Sequence, residues 1–318
     1  MIIAKRPVLK ELSPDQIFQN PANPRMFFRP EEMDTLLASI KRYGIQVPIS
    51  VYQDGDRFVL IDGERRWRCA RKLNLRQIPA LVQDRPSPLE NLLLMFNIHA
   101  LREQWDYLTI AKSLPDVISL FNSENARYPN EIELSELTGL TRGQIRRCKY
   151  LLDLPKKYVK VLEQELHLPK ASQQLSEDFF IEMERSLKTV QNRVPAAIVD
   201  LDSARDALIS KFRAGTIGNI TDFRKLSKIA TSIGNVGAKE LRVRSALRDI
   251  LDPDKRTGIH EVYAERFELQ YDQRKFSLTI DSIFEYLEIA EEDEEAISSD
   301  LREKLFELKT RIERVLGL

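Results

Sequence analysis

The sequence predicts an α+β N-terminal domain, then an all-α helix-turn-helix domain, then a mostly helical C-terminal domain. Three observations set this order. Strand-like and helix-like periodicities alternate up to Gln83, where "DRPSP" (Asp84–Pro88) interrupts them. From Leu89 onward helical periodicity dominates. Within that region, "IELSELTGLTRGQIRRCKYLLDLP" reads as helix, glycine turn, helix. The expected domains are therefore 1–88, 89–170 and 171–318.

Each element has a local cause. "NPANPR" (Asn20–Arg25) is a turn-rich segment. "PEEMDTLLASIKRYG" opens on proline and two acids, closes on glycine, and spaces Met33, Leu36, Leu37 and Ile40 for one helix face. "VPISVY" and "RFVLI" flank "DGD" (Asp54–Asp56) and form an expected hairpin. A helix then starts near Gly63, and "IPALVQ" (Ile78–Gln83) is a third strand. Beyond Lys170 the reading is helical, with one expected β-hairpin at "RFELQYDQRKFSLTI" (Arg266–Ile280). The last helix spaces Leu301, Leu305, Leu308, Ile312 and Val315 by fours and threes, a short coiled-coil-like seam. Its two readings are packing on this chain's own core and homodimerisation.

Composition narrows the function. The 49 basic residues balance the 49 acidic ones, which argues against indiscriminate coating of DNA and leaves room for local patches. Two cysteines and three scattered histidines offer neither a disulfide framework nor zinc spacing. No signal peptide and no membrane span are read from the sequence, so the expectation is a cytoplasmic protein.

The stretch "LIDGERRWRCARKL" carries the densest chemistry. A strand delivers the chain to Gly63, and a helix begins there. A helix start presents unpaired N–H groups and a positive dipole end, and glycine lets a ligand approach the backbone. Arg65, Arg66 and Arg68 lie in the first two turns, where guanidiniums can grip phosphate oxygens in pairs. Asp62 or Glu64 offers a carboxylate to a magnesium ion bridging such oxygens. The same letters also fit a solvated helix with Trp67, Ala70 and Leu73 turned inward, and the local pattern leaves both readings open.

The wider order of segments resembles the N-terminal domain of the ParB/Spo0J-like partition protein family, a ParB/sulfiredoxin-like fold. The resemblance runs from about Ile17 to Val82 and centres on Gly63-Glu64-Arg65-Arg66-Trp67-Arg68-Cys69-Ala70, against a family box of the form GERRxRA. It implies a nucleotide pocket, of the CTP type or for another NTP, with Gly63, Glu64, Arg65, Arg66 and Arg68 on the triphosphate. Gly44, Gln46 and Pro48, in "GIQVPI", fall on the cytosine and ribose side. The family's second phosphate segment implies Asn97 and, with two inserted residues, Arg102. Asn97 then joins Asp62 and Glu64 as a candidate Mg2+ ligand. Phe96 stands where the family carries a glutamate tied to magnesium and hydrolysis, so slow NTPase (CTPase) activity is an open question. Sulfiredoxin chemistry is not expected, because its Cys-His pair is replaced by Glu64-Arg65.

In the helix-turn-helix, Gly139 permits the turn and Thr141 caps the second helix. Leu134, Leu140, Ile145, Leu151 and Leu152 form the expected small core. Thr141, Arg142, Gln144, Arg146, Arg147 and Lys149 are the expected DNA contacts. Arg142 to Lys160 holds seven Lys/Arg and one acid, Asp153. The closing "LLDLP" again resembles the family, whereas Ser135 and Thr138 depart from its apolar pattern. The implied function is a sequence-specific DNA-binding protein working as a nucleotide-dependent clamp or switch in DNA partition or regulation. Its expected partners are DNA, a nucleotide and a second copy of the chain. A ParA-type ATPase is not expected, because the sequence opens almost on the folded domain. Two alternatives remain: a ParB-fold nuclease or phosphoryl-transfer enzyme using Asp62 and Glu64, and a plain transcriptional regulator with a degenerate pocket.

Overall fold

The computed structural model describes residues 7–25, 28–100, 105–292 and 297–317. It divides into two compact units, Met1–Arg185 and Ser186–Leu318. Residues 171–185, expected with the C-terminal domain, belong to the first unit.

The first unit opens on a five-stranded sheet of β1 (Val8–Leu12), β2 (Ile17–Phe18), β3 (Ile49–Asp54), β4 (Arg57–Asp62) and β5 (Ile78–Gln83). Its spatial order is β1-β5-β3-β4-β2. β3 and β4 are the expected hairpin, turning at Gly55 with φ 62°. β5 lies parallel to β3 and antiparallel to β1, and β2 adds two residues parallel to β4. Helix α1 (Pro30–Tyr43) begins with Pro30 and two acids and stops at Gly44 with φ 70°, as its sequence signals require. Helix α2 (Glu64–Lys72) follows β4 directly. Leu12, Ile49, Val51, Leu60, Ile78 and Ala80 build the core with Trp67 and Ala70 of α2. Buried Trp67 donates Nε1–H to the Pro14 carbonyl at 2.9 Å. This inward face of α2 turns its arginines the other way.

Helix α3 (Pro88–Met95) starts with a reciprocal Ser87–Glu90 capping box and runs into a π-helical turn, Phe96–Ala100. Helices α4 (Tyr107–Asn125), α5 (Glu131–Thr138), α6 (Arg142–Leu152) and α7 (Lys156–His167) complete this unit with the first part of α8 (Glu177–Arg193).

The second unit holds α9 (Leu201–Arg213), α10 (Asp222–Val236), α11 (Glu240–Leu251), α12 (Ile259–Arg266), α13 (Glu268–Glu292) and α14 (Ser299–Leu316). The hairpin expected at Arg266–Ile280 is wrong, because this segment is the end of α12 and the first half of α13. Its midpoint, Asp272-Gln273-Arg274-Lys275, has no glycine or asparagine for the positive φ that a tight hairpin turn demands. Without that turn the chain stays helical. The α14 seam is a single helix, and none of its residues is buried. Among the described residues, no helix is long and apolar enough to cross a membrane.

Candidate functional site

The candidate anion site is built where β4 meets α2. Gly63 sits at φ 94°, a backbone conformation that disfavours any side chain. A Cβ there would also meet Ile49 Cγ2 at 2.6 Å, so the close approach of β3 excludes one on steric grounds too. The residue is therefore fixed twice, by dihedral and by packing. Asp62, Gly63, Glu64, Arg65 and Arg66 line one concavity together with Asn23, Arg25 and Leu36.

The arginines divide by their partners. Arg65 Nη2 donates to the Glu32 carbonyl at 3.0 Å and lies 3.4 Å from the Glu32 carboxylate. Arg66 donates to Asp62 at 2.9 Å and to the carbonyls of Val47 and Pro48 at 2.5 and 2.7 Å. It thereby ties the Gly44–Ile49 segment to the helix start. Gln46 is turned to the Tyr43 carbonyl, and Gly44 is the C-cap of α1. Arg68 leaves the concavity: it grips Glu64 Oε1 at 2.6 and 3.0 Å and stacks 4.0 Å from the Phe28 ring.

Glu64 is spent on structure. Its Oε1 also accepts from Gln19 at 2.9 Å, and its Oε2 accepts from Asn23 at 2.5 Å. With Asp62 paired to Arg66, neither carboxylate presents a clear face to a cation. Asn97 is exposed in the π-helical turn and donates to the Leu93 carbonyl at 3.0 Å. Among the described residues no group of three or more His, Cys, Asp or Glu could hold a metal. The expected Asp62, Glu64 and Asn97 set therefore does not fit a protein-held magnesium ion. Arg102 lies outside the described residues.

Sequence reasoning missed Arg25, which reads there only as the end of a turn. Burial, and then the positive charge of Arg65, push its guanidinium below its ordinary pKa. Glu32, Asp106 and Glu64 act in the opposite direction, and an anion entering the concavity would add to their effect. The signal was present in the sequence, as an arginine directly behind an Asn-Pro turn that packs on the Gly63 helix.

The helix-turn-helix forms as expected from α5, a turn at Gly139 (φ 72°) and α6. Thr141 and Gln144 form a reciprocal capping box, with Gln144 N–H donating to Thr141 Oγ1 at 3.2 Å and Thr141 N–H to Gln144 Oε1 at 2.9 Å. Both expected DNA contacts thus serve the helix start. Leu134, Leu140, Ile145 and Leu151 are buried, but Leu152 is 41 % exposed, so it is no part of the small core. Buried Cys148 occupies the core face instead, one turn from Leu151. The buried hydroxyl of Thr138 donates to the Leu134 carbonyl at 2.6 Å, and Ser135 donates to the Leu140 carbonyl at 2.5 Å. These hydrogen bonds let two polar residues sit where an apolar pattern was expected.

Arg142, Arg146 and Lys149 lie at i, i+4 and i+7, so they share one exposed face of α6. All three converge on Glu131, with nitrogen–oxygen separations of 2.9, 2.8 and 3.6 Å. Hydrogen bonds from Arg146 and Arg142 hold the Glu131 carboxyl down at about 2. Arg147 points elsewhere: it pairs with Asp178 and lies over the Tyr107 ring.

The ParB N-terminal domain family matches residues 3–95. A probable chromosome-partitioning protein ParB of Campylobacter jejuni is 36 % identical over 143 residues, covering 44 % of this chain and 48 % of that protein. Its counterpart in Helicobacter pylori is 29 % identical over 156 residues, covering 49 % and 51 %. The chain thus spans about half the length of these curated relatives. The C-terminally truncated Caulobacter crescentus ParB, solved on the centromeric parS site, is 18 % identical with a TM-score of 0.38, covering 75 % of this chain and 98 % of that one. Residues 3–95 match the ParB N-terminal domain family, and over its N-terminal half the chain is similar to ParB/Spo0J partition proteins.

Proposed function

We propose that this chain is a DNA-binding protein of the partition type whose hold on DNA is switched by a nucleotide of the CTP class. The observation that carries this reading is the glycine-started helix α2, where Arg25, Arg65 and Arg66 converge on one concavity. A polyphosphate there relieves the repulsion between Arg25 and Arg65 and meets the free N–H groups of the helix start. Each charge-assisted hydrogen bond contributes about 1.5–3 kcal/mol, so two or three support a nucleotide. The Gly44–Ile49 segment, held by Arg66, supplies the base and ribose side. Arg142, Arg146 and Lys149 engage the DNA, and a second copy of the chain closes the clamp. A nucleotide switches such a protein only if it binds the closed and open states with different affinity.

Phe96 favours binding without rapid turnover. Its ring is fully buried and stands edge-on to Trp105 at a centroid distance of 5.3 Å. Where the family would carry an acid, this chain carries packing.

The test is a titration of the four NTPs by calorimetry, with and without duplex DNA, on wild type and Arg65→Ala. The expected result is binding of one NTP, modulated by DNA and lost in Arg65→Ala, with initial DNA binding retained. If no NTP binds, or if Arg65→Ala binds as wild type does, the reading falls.

A further inference from the structure

The second unit repeats a piece of backbone geometry from the first. α5 and α6 are joined by Gly139, Leu140 and Thr141; α10 and α11 are joined by Gly237, Ala238 and Lys239. The glycines take φ 72°, ψ 0° and φ 65°, ψ 25°. The middle residues, Leu140 and Ala238, are 1 % and 6 % exposed. The third residues are extended N-caps, Thr141 at φ −67°, ψ 152° and Lys239 at φ −66°, ψ 130°. Ile145 N–H then donates to the Thr141 carbonyl at 3.0 Å, and Val243 N–H to the Lys239 carbonyl at 3.2 Å. Ile145 and Val243, and after them Cys148 and Ala246, are fully buried at matching positions of the two second helices. α10 packs on both α11 and α12, which gives the turn a small core of its own.

The outer face of α11 differs from that of an ordinary bundle helix. Leu241, Arg242, Ser245 and Arg248 share it, all exposed, with Leu241 at 81 %. From Lys239 to Arg248 there are four cations and one acid, Glu240. Among the described residues, Lys239, Arg242, Arg244 and Arg248 form no ion pair; Arg242 lies 5.6 Å from the Phe267 ring centroid and Arg248 donates to the Ala196 carbonyl at 3.2 Å. Their charge is thus left uncompensated, whereas α6 has Glu131 to hold its cations. An exposed leucine beside Arg242 suits a thymine methyl flanked by base edges and phosphates.

We propose that α10 and α11 form a second helix-turn-helix, and that the Leu241–Arg242–Ser245–Arg248 face of α11 docks in the major groove of duplex DNA. This site is independent of the nucleotide pocket and of α6. It gives the chain two separate DNA-reading elements, one in each unit.

The test uses the full-length chain and a labelled mixed-sequence duplex, with fluorescence anisotropy across a salt series. Lys239→Gln/Arg242→Gln is expected to weaken binding several-fold and to lower the slope of log K against log salt by about 2, one condensed counterion for each phosphate-neutralising cation removed. Arg242→Lys is expected to retain most of the slope. In an Arg142→Gln/Arg146→Gln background the double substitution is expected to weaken binding further. Unchanged affinity and slope in both backgrounds overturns the proposal. A loss that Arg242→Lys does not restore, accompanied by a lower melting temperature, also overturns it as a folding defect. If Arg142→Gln/Arg146→Gln costs nothing while Lys239→Gln/Arg242→Gln removes binding, α11 stands and the α6 assignment falls. If wild type binds no duplex at any salt, both fall.

Discussion

Arg66 and Asp62 close an ion pair of 2.9 Å across the junction between β4 and α2. The same guanidinium also holds two carbonyls of the Gly44–Ile49 segment, so one side chain joins three pieces of backbone. Arg65 is less entangled, with Glu32 as its partner. On the proposed reading the two neighbours divide the work, with Arg66 shaping the pocket and Arg65 facing the nucleotide.

Substituting them should separate the two roles. Arg66→Ala removes the hydrogen bonds to the Val47 and Pro48 carbonyls and the ion pair with Asp62, at a cost of about 2–3 kcal/mol. For a unit of this size that corresponds to a melting temperature lower by roughly 5–10 °C. Arg65→Ala should melt close to wild type and lose nucleotide binding. Paired thermal melts and calorimetry check this; equal melting temperatures for the two variants would refute the division.

If the α6 face engages DNA as proposed, Glu131 competes with it for Arg142, Arg146 and Lys149. Glu131→Gln keeps hydrogen-bond acceptance but removes the charge, so DNA affinity should rise and its salt dependence should steepen. The wild-type carboxyl titrates at about 2, well below the ordinary carboxylate range, so the brake stays charged at every working pH. Its contribution to stability is full above the ordinary carboxylate pKa and fades only as pH falls towards 2. Anisotropy titrations at two salt concentrations test this. Weaker binding by Glu131→Gln would show that the carboxylate organises the DNA face instead of restraining it.

Glu177 gives the first unit a pH-dependent stability. Burial pushes its carboxyl up to about 7, against the opposing effect of the N–H groups of Leu108 and Tyr107 that donate to it, while Asp106 and Asp178 add to the rise. Between pH 4.5 and about 7 the unfolded carboxyl is ionised while the folded one keeps its proton. Stability therefore falls as pH rises through that window, by up to about 3 kcal/mol. Urea melts at pH 5 and pH 8 should show this loss in wild type and a flatter profile in Glu177→Gln. A wild-type stability that rises across the window would exclude the mechanism.

Signals that act within a few residues were legible in the sequence. Pro30 and Gly44 mark the ends of α1, Gly55 makes the hairpin, Gly63 starts α2, and Gly139 with Thr141 sets the turn before α6. Features that depend on distant partners were not. β1 and β2 are short and become strands only by pairing with β5 and β4. Glu64 reads as a metal ligand until Gln19 and Asn23, 45 and 41 residues away, are seen to claim it. In α13 the alternation of Phe276, Leu278 and Ile280 imitates a strand, yet Phe276 and Leu278 are exposed on a helix. Alternation says which residues share a face only after the backbone has chosen its period.

The sheet order also fixes when this domain can mature on the ribosome. The β3–β4 hairpin closes over two intervening residues and is available early. β1 must wait for β5, since Val8 pairs with Val82. Its edge therefore remains unsatisfied until nearly the whole domain has been synthesised, and the chain closes a long loop to complete it. The anion site is assembled from the early hairpin end and α2, whereas β1 seals the sheet's far edge last. A nascent chain can thus hold the formed concavity at Gly63 while one side of its sheet is still open.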